Sequence, residues 1–283
     1  MMPAPPERRG GEGTDAAARR HAVTDAPLTL TRDGPVARVT LNRPDAANAV
    51  DPAMARALLA AAVECDEDAT VRCVLLAARG KLFCGGGDVR AFAAAGDDLP
   101  RLVNELLVPF HGAITRLLRL DKPLVTAVQG PAAGAGFSLA VLGDVALMAR
   151  SAHLSLAYTA LGLSPDGGST FLLPRLVGLR RAQELALLNR RVTAEEAVAL
   201  NLVTRAVDDD ALEAEAADTA HRLARAATGA VGRTRNLLLG SLNNSLEAQL
   251  EAEARAIIAA TRGPESREGI AAFLAKRPPN FGA

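Results

Sequence analysis

Tryptophan is absent from this 283-residue chain, tyrosine occurs once, and aromatic residues make up 3% of it. So few flat side chains argue against a base-stacking, nucleic-acid surface, and leave Val, Leu and Ala to fill the core. Charge of one sign is also missing: 32 basic residues balance 32 acidic ones. The chain therefore lacks the field that a dedicated binder of nucleic acid or of an anionic membrane carries. Only three of the basic residues are lysine, an arginine bias that we read as genomic. Cysteine is limited to Cys65, Cys73 and Cys84, without CxxC spacing or a neighbouring histidine. No disulfide framework or zinc site is expected, and the chain reads as a reduced, cytoplasmic protein. No apolar run approaches the roughly 18 residues of a membrane span. The histidines, His21, His111, His153 and His221, show no ligand spacing, and no metal is expected. His111 reads as a partly buried core or interface residue within a helix, and His153, preceding a strand, as exposed. What is present is 49% hydrophobic and 23% charged, enough for one large domain with a sizeable core.

Residues 1–26 are rich in Pro, Gly, Arg and Ala. They lack the apolar stretch of a secretory signal, and Glu7, Glu12 and Asp15 argue against an import peptide. A disordered tail is expected there. Leu28 to Thr31 and Val36 to Leu41 flank Asp33-Gly34 and predict a β-hairpin. Asp51 as N-cap and Pro52 at the first helical position open a helix carrying Met54, Leu58, Leu59, Ala62 and Val63 on one face. Strands are expected at Cys73 to Ala77, Leu124 to Val128, Val145 to Ala149 and Leu154 to Leu156, with helices over Leu102 to Leu118 and Gly136 to Leu142. Thr193 and Glu196 form a capping box. From Asp210 onward the pattern is almost wholly helical, and stripes such as Ala254, Ile257 and Ile258, or Ile270, Phe273 and Leu274, need a surface to bury against. That surface is expected on another subunit.

Two glycine-rich loops follow core strands. In Gly80 to Val89, three consecutive glycines precede Asp88 and a helix start. In Gln129 to Ala140, small residues lead from a strand into an apolar helix. Either loop is explained by a tight turn or by close packing, but two such loops together also suit an oxyanion hole, which is commonly built from converging backbone N–H groups.

The ordered segments NRPDAANA (Asn42 to Ala49), FCGGGD (Phe83 to Asp88), GPAAGAGFSLA (Gly130 to Ala140) and LGLSPDGGSTFLLPRLVG (Leu161 to Gly178) resemble the crotonase family, the enoyl-CoA hydratases and isomerases. The resemblance covers residues 27–283 and includes FLAKRPPNF near the C-terminus. It implies an α/β fold: a crotonase-like spiral of ββα units over residues 27–207 and a C-terminal helical trimerisation region over 208–283. It further implies acyl-CoA thioester substrates, an enolate held by two backbone amides, and a homotrimer or homohexamer. No separate cofactor is implied, because coenzyme A enters as part of the substrate.

By motif position, the resemblance puts the two amide donors on Gly87 and on Ala135, where the family usually has glycine. It places coenzyme A along Ala47, Ala49, Gly85, Asp88 and Val89, with Lys81 near a phosphate. The two glutamates with which the family's hydratases add water are replaced by Ser138 and Tyr158. Neither is a carboxylate, so hydration by the usual route is not expected. Ser138 reads either as a substrate contact or as a small packing residue, and Tyr158 either as a hydrogen-bond donor to substrate or as pocket filling. Asp166 is the one acid in the pocket segment, and it reads as the catalytic base or as the N-cap of the following helix. The expected reaction is a shift of a double bond from the 3,4 to the 2,3 position of an enoyl thioester, as in fatty acid metabolism. The alternatives are isomerisation of a ring-epoxide thioester, hydration, or acyl-CoA binding without catalysis.

Overall fold

The computed structural model describes residues 26–282, so the expectation for the N-terminal tail lies almost wholly outside the described residues. The expected hairpin is formed by β1 (Leu28–Asp33) and β2 (Val36–Leu41), paired antiparallel. Its turn is Gly34-Pro35 rather than Asp33-Gly34, because Asp33 already pairs with Val36; Gly34 takes a φ of +55°. Helix α1 (Pro52–Glu67) starts where Asp51 accepts the Met54 N–H at 2.7 Å. It leads into β3 (Cys73–Ala78). Helices α2 (Val89–Ala95) and α3 (Leu99–Arg119) precede β4 (Leu124–Val128). After β5 (Ala132–Ala133) and α4 (Ala135–Ala140) come β6 (Val145–Ala149) and β7 (His153–Ser155). His153, expected to precede a strand and be exposed, is instead the first residue of β7 and half-buried. Helices α5 (Ser169–Val177) and α6 (Leu179–Leu188), strand β8 (Val192–Thr193), α7 (Ala194–Ala199) and β9 (Arg205–Val207) complete the core. The expected Thr193 cap is present on α7, accepting the Glu196 N–H at 3.3 Å.

The main sheet runs in the order β1-β2-β3-β4-β6-β9, parallel except for the hairpin, and β5, β7 and β8 form a second, smaller sheet. Strand β4 is buried along its whole length and β3 along nearly all of it. Their apolar runs therefore do not alternate, as expected of parallel strands covered on both faces. Of the seven phenylalanines, Phe83, Phe110 and Phe137 are the largest fully buried side chains. One lies in the first glycine-rich loop, one in α3 and one in α4. Each contributes roughly 1.5–3 kcal/mol of burial, and together they fix the three elements that meet at the candidate site.

Helices α8 (Leu212–Ala224), α9 (Thr228–Ser241), α10 (Leu246–Thr261) and α11 (Pro264–Leu274) end the chain. Helix α9 is clamped to the core by Arg235, which donates from Nε to the Asp144 carboxylate at 2.5 and 2.6 Å, from Nη1 to the Leu120 carbonyl and from Nη2 to the Leu117 carbonyl, both at 2.8 Å. Beyond it the apolar stripes lack cover among the described residues. Helix α10 has no buried residue and α11 buries only Ala272, whereas Ile257, Ile258, Phe273 and Leu274 are exposed.

Candidate active site

The first glycine-rich loop is built onto the Asn42 to Val50 segment. Asn48 is fully buried with a φ of +51°; its Nδ2 donates to the Arg79 and Leu82 carbonyls, and its Oδ1 accepts the Arg43 N–H at 2.8 Å. Arg43 in turn reaches the Ala49 carbonyl at 2.7 Å, Asp51 at 3.0 Å and Asp88 at 3.2 Å. Gly85 donates to the Ala47 carbonyl at 2.8 Å. Neither Asn48 nor Arg43 was singled out from the sequence. The loop pairs with Val50 as a single parallel bridge to Gly87: the Val50 N–H donates to Gly86 O at 2.7 Å, and Asp88 N–H donates to Val50 O at 3.1 Å. A residue so bracketed turns its own N–H away from its partner, here Val50, and Gly87 lines the cavity described below.

The second loop is joined to the first. Phe83 N–H donates to Pro131 O at 3.1 Å, Ala133 N–H donates to Cys84 O at 2.9 Å, and Cys84 bridges Ala132. The approach is so close that a Cβ on Gly136 would lie 2.1 Å from the Cys84 carbonyl oxygen. Gly134, at φ +55°, turns the chain into α4, whose first residue is Ala135. That position leaves the Ala135 N–H without an intrahelical acceptor. Among the described residues, neither the Gly87 nor the Ala135 N–H donates to a protein acceptor.

Both residues line a cavity of about 230 Å³ together with Tyr158 and Asp166. Phe92, Val103, Leu106 and Leu107 from α2 and α3 give it an apolar side. Of the residues expected along coenzyme A, Gly85 and Val89 line this cavity and are exposed. Ala47 and Ala49 lie behind, on the supporting segment. The Asp88 carboxylate is taken up by the α2 N-cap, where it accepts Ala91 N–H at 3.2 Å, and by Arg43. Lys81 is exposed.

Asp166 is not the N-cap of α5, a place taken by Gly168 without a side-chain bond. Its carboxylate Oδ1 instead accepts a short hydrogen bond from the Tyr158 hydroxyl. Its backbone carbonyl accepts from Ser138 Oγ at 3.1 Å, Ser169 Oγ at 2.9 Å and Ser169 N–H at 3.1 Å. Fully buried Ser138 thus supports the loop from beneath and does not line the cavity. Gly167 and Gly168 follow with φ of +59° and +79°, a left-handed pair that turns the chain sharply after the carboxylate. Burial first, and then the charge of Asp166, push the Tyr158 hydroxyl well above its ordinary value. It therefore stays protonated, a standing donor to Asp166. Sequence reasoning also missed His111: its ring, on α3, is about half exposed, accepts the Gly167 N–H at Nε2 (3.3 Å) and lies 3.6 Å from Asp166 Oδ2. No spacing rule could link residues 55 positions apart; only the packing of α3 over the Asp166 loop does.

Two amide donors without protein partners and one carboxylate on a small apolar cavity form an arrangement suited to moving a proton next to a carbonyl while its oxygen becomes negative. The family model described as enoyl-CoA hydratase/isomerase matches residues 31–283. The chain is 39% identical over 250 residues to "1,2-epoxyphenylacetyl-CoA isomerase" of Escherichia coli, covering 87% of this chain and 94% of the relative. It is also 39% identical to a Rhodobacter capsulatus protein named "Probable enoyl-CoA hydratase", again over 87% and 94%. Among solved structures, an enoyl-CoA hydratase from Polaromonas sp. JS666 superposes with a TM-score of 0.85 at 31% identity, covering 89% of this chain and 98% of that one.

Proposed function

Because the chain belongs to the enoyl-CoA hydratase/isomerase family of acyl-CoA enzymes, we propose that it is an acyl-CoA isomerase that moves a 3,4 double bond into conjugation with the thioester. In this reading Asp166 removes a proton from C2. The Gly87 and Ala135 N–H groups hold the thioester oxygen as it becomes an enolate, and Asp166 returns the proton at C4. Tyr158 keeps the carboxylate oriented throughout. Coenzyme A lies along Gly85 and Val89, with Ala47, Ala49 and Asp88 shaping that segment from behind, and no other cofactor takes part. The observation that carries the reading is the single carboxylate, Asp166, which shares one cavity with both partner-free amides while the hydratase glutamate positions hold Ser138 and Tyr158.

The test is a panel of CoA thioesters followed by mass spectrometry and NMR, with 3-enoyl-CoA expected to be converted and 2-enoyl-CoA not to be hydrated at a comparable rate. Efficient hydration would overturn the reading, and binding without turnover of any thioester would make the protein a carrier. A second reading, isomerisation of an aromatic-ring epoxide thioester, is favoured by the name of the Escherichia coli relative, and the same panel decides it. We place the protein in the cytoplasm as a homotrimer or homohexamer. The uncovered apolar residues of α10 and α11 support the assembly, and light scattering tests it; a monomer at micromolar concentration would refute it.

A further inference from the structure

His111 has no part in the chemistry proposed above, yet it is the group from α3 that meets the Asp166 loop. We infer that His111 is a positioning residue: as a neutral acceptor at Nε2 it fixes Gly167, and through it sets the Asp166 carboxylate with Oδ2 left open for proton transfer. The inference rests on the isomerase reading of the site.

The peptide that joins Asp166 to Gly167 is held on its two sides by different means. The Asp166 carbonyl has three donors, from Ser138 and Ser169. The N–H of that same peptide, on Gly167, has His111 Nε2 as its hydrogen-bond acceptor. Gly167 cannot be stiffened by a side chain of its own, since a Cβ there would lie 2.8 Å from Phe110 and 3.0 Å from Ser138 Oγ and its φ is positive. In a left-handed glycine pair, the hydrogen bond to the ring takes over the constraint that a side chain would otherwise supply.

The same bond decides which ring nitrogen carries the proton. An Nε2 that accepts from Gly167 has no hydrogen, so the neutral ring is protonated at Nδ1. The 3.6 Å approach of Nε2 to Asp166 Oδ2 is too long for a hydrogen bond. Oδ1 is occupied by Tyr158, so Oδ2 remains as the oxygen from which the carboxylate works. Of the carboxylates on the elements packed against α3, Asp66 of α1 is paired with Arg116 and Asp88 at the start of α2 with Arg43.

Glutamine carries its amide oxygen about where Nε2 sits and cannot become a cation, so His111→Gln separates accepting from every other property of the ring. Leucine removes the acceptor, and asparagine ends one atom short of it. Full-length wild type and the three variants are compared for kcat and KM on a 3-enoyl-CoA, and for exchange of the Gly167 amide by NMR in the resting protein. The inference expects His111→Gln to keep kcat within about threefold of wild type, with Gly167 still protected. His111→Leu and His111→Asn should lose roughly 10-fold to 100-fold in kcat with little change in KM, the pattern of a misplaced catalytic group, and their Gly167 amide should exchange faster. A His111→Leu or His111→Asn enzyme as active as wild type overturns the inference, as does a His111→Gln enzyme impaired as much as the other two. If His111→Leu does not fold, His111→Asn decides. Wild type that turns over no thioester removes the isomerase reading instead, and amide exchange, which needs no substrate, still reports whether His111 holds the loop.

Discussion

Replacing Asp166 by asparagine separates the shape of the site from its chemistry. The loop that presents residue 166 is held through the backbone carbonyl by Ser138 and Ser169, and the cap of α5 is Gly168. Neither depends on the carboxylate. An asparagine Oδ1 still accepts from Tyr158, so the expected stability loss is that of one charge-assisted bond made neutral, about 1 kcal/mol. The proton acceptor, by contrast, is gone. General-base catalysis contributes roughly 10²-fold to 10⁴-fold, which at 1.36 kcal/mol per factor of ten is about 2.7–5.4 kcal/mol of barrier. Turnover of a 3-enoyl-CoA should fall by that factor, while affinity for a non-reacting acyl-CoA, measured by calorimetry, stays within about threefold because no coenzyme A contact is altered. Retention of more than a tenth of the activity would refute the reasoning and move attention to Tyr158. A loss of binding equal to the loss of rate would show that the carboxylate is a binding group.

Gly136→Ala places a methyl group 2.1 Å from the Cys84 carbonyl oxygen and must separate the two loops. We expect destabilisation of about 3 kcal/mol or more in urea unfolding, whereas Ala135→Gly, which keeps the N–H, should leave turnover within a few-fold. Arg235→Met strips Asp144 and the Leu117 and Leu120 carbonyls of their donor, and should cost roughly 3 kcal/mol in the same assay. Burial pushes the Cys65 thiol up to about 11 and those of Cys73 and Cys84 up to about 12. All three should ignore Ellman's reagent at pH 8 and react in denaturant. Because the folded values lie above the ordinary 9.0, the stability they confer is complete below pH 9 and is lost as pH rises toward 11–12. The melting temperature should fall over that window and not on mild acidification of the thiols.

The elements legible in advance are those whose signals are local. The hairpin, the Asp51 cap with Pro52, the buried runs of β3 and β4 and the Thr193 cap are each specified within a few residues, and each is in the structure. The pairing of the two glycine loops was suggested by their chemistry, but the bridge that joins them, Cys84 to Ala132, and the one that seats the first loop on its supporting segment, Val50 to Gly87, connect residues 48 and 37 positions apart and leave no local periodicity. Asp166 was named, with its two roles left open. Its bond to Tyr158 and the cap at Gly168 are properties of a loop with two left-handed glycines, whose path no pattern of apolar residues encodes. Asn48, Arg43 and His111 were missed for a related reason: a buried polar side chain is placed by the backbone groups that it satisfies, and those groups belong to distant segments.

In the proposed reaction one carboxylate carries one proton across the face of an enolate. A 3-enoyl-CoA carrying deuterium at C2, converted in ordinary water and read by NMR, tests this directly. Asp166 as the only base predicts that part of the 2-enoyl product carries the label at C4, and that the Asp166→Asn enzyme gives neither transfer nor loss of the label. Conversion by wild type with no label at C4, together with undiminished conversion by Asp166→Asn, would contradict it.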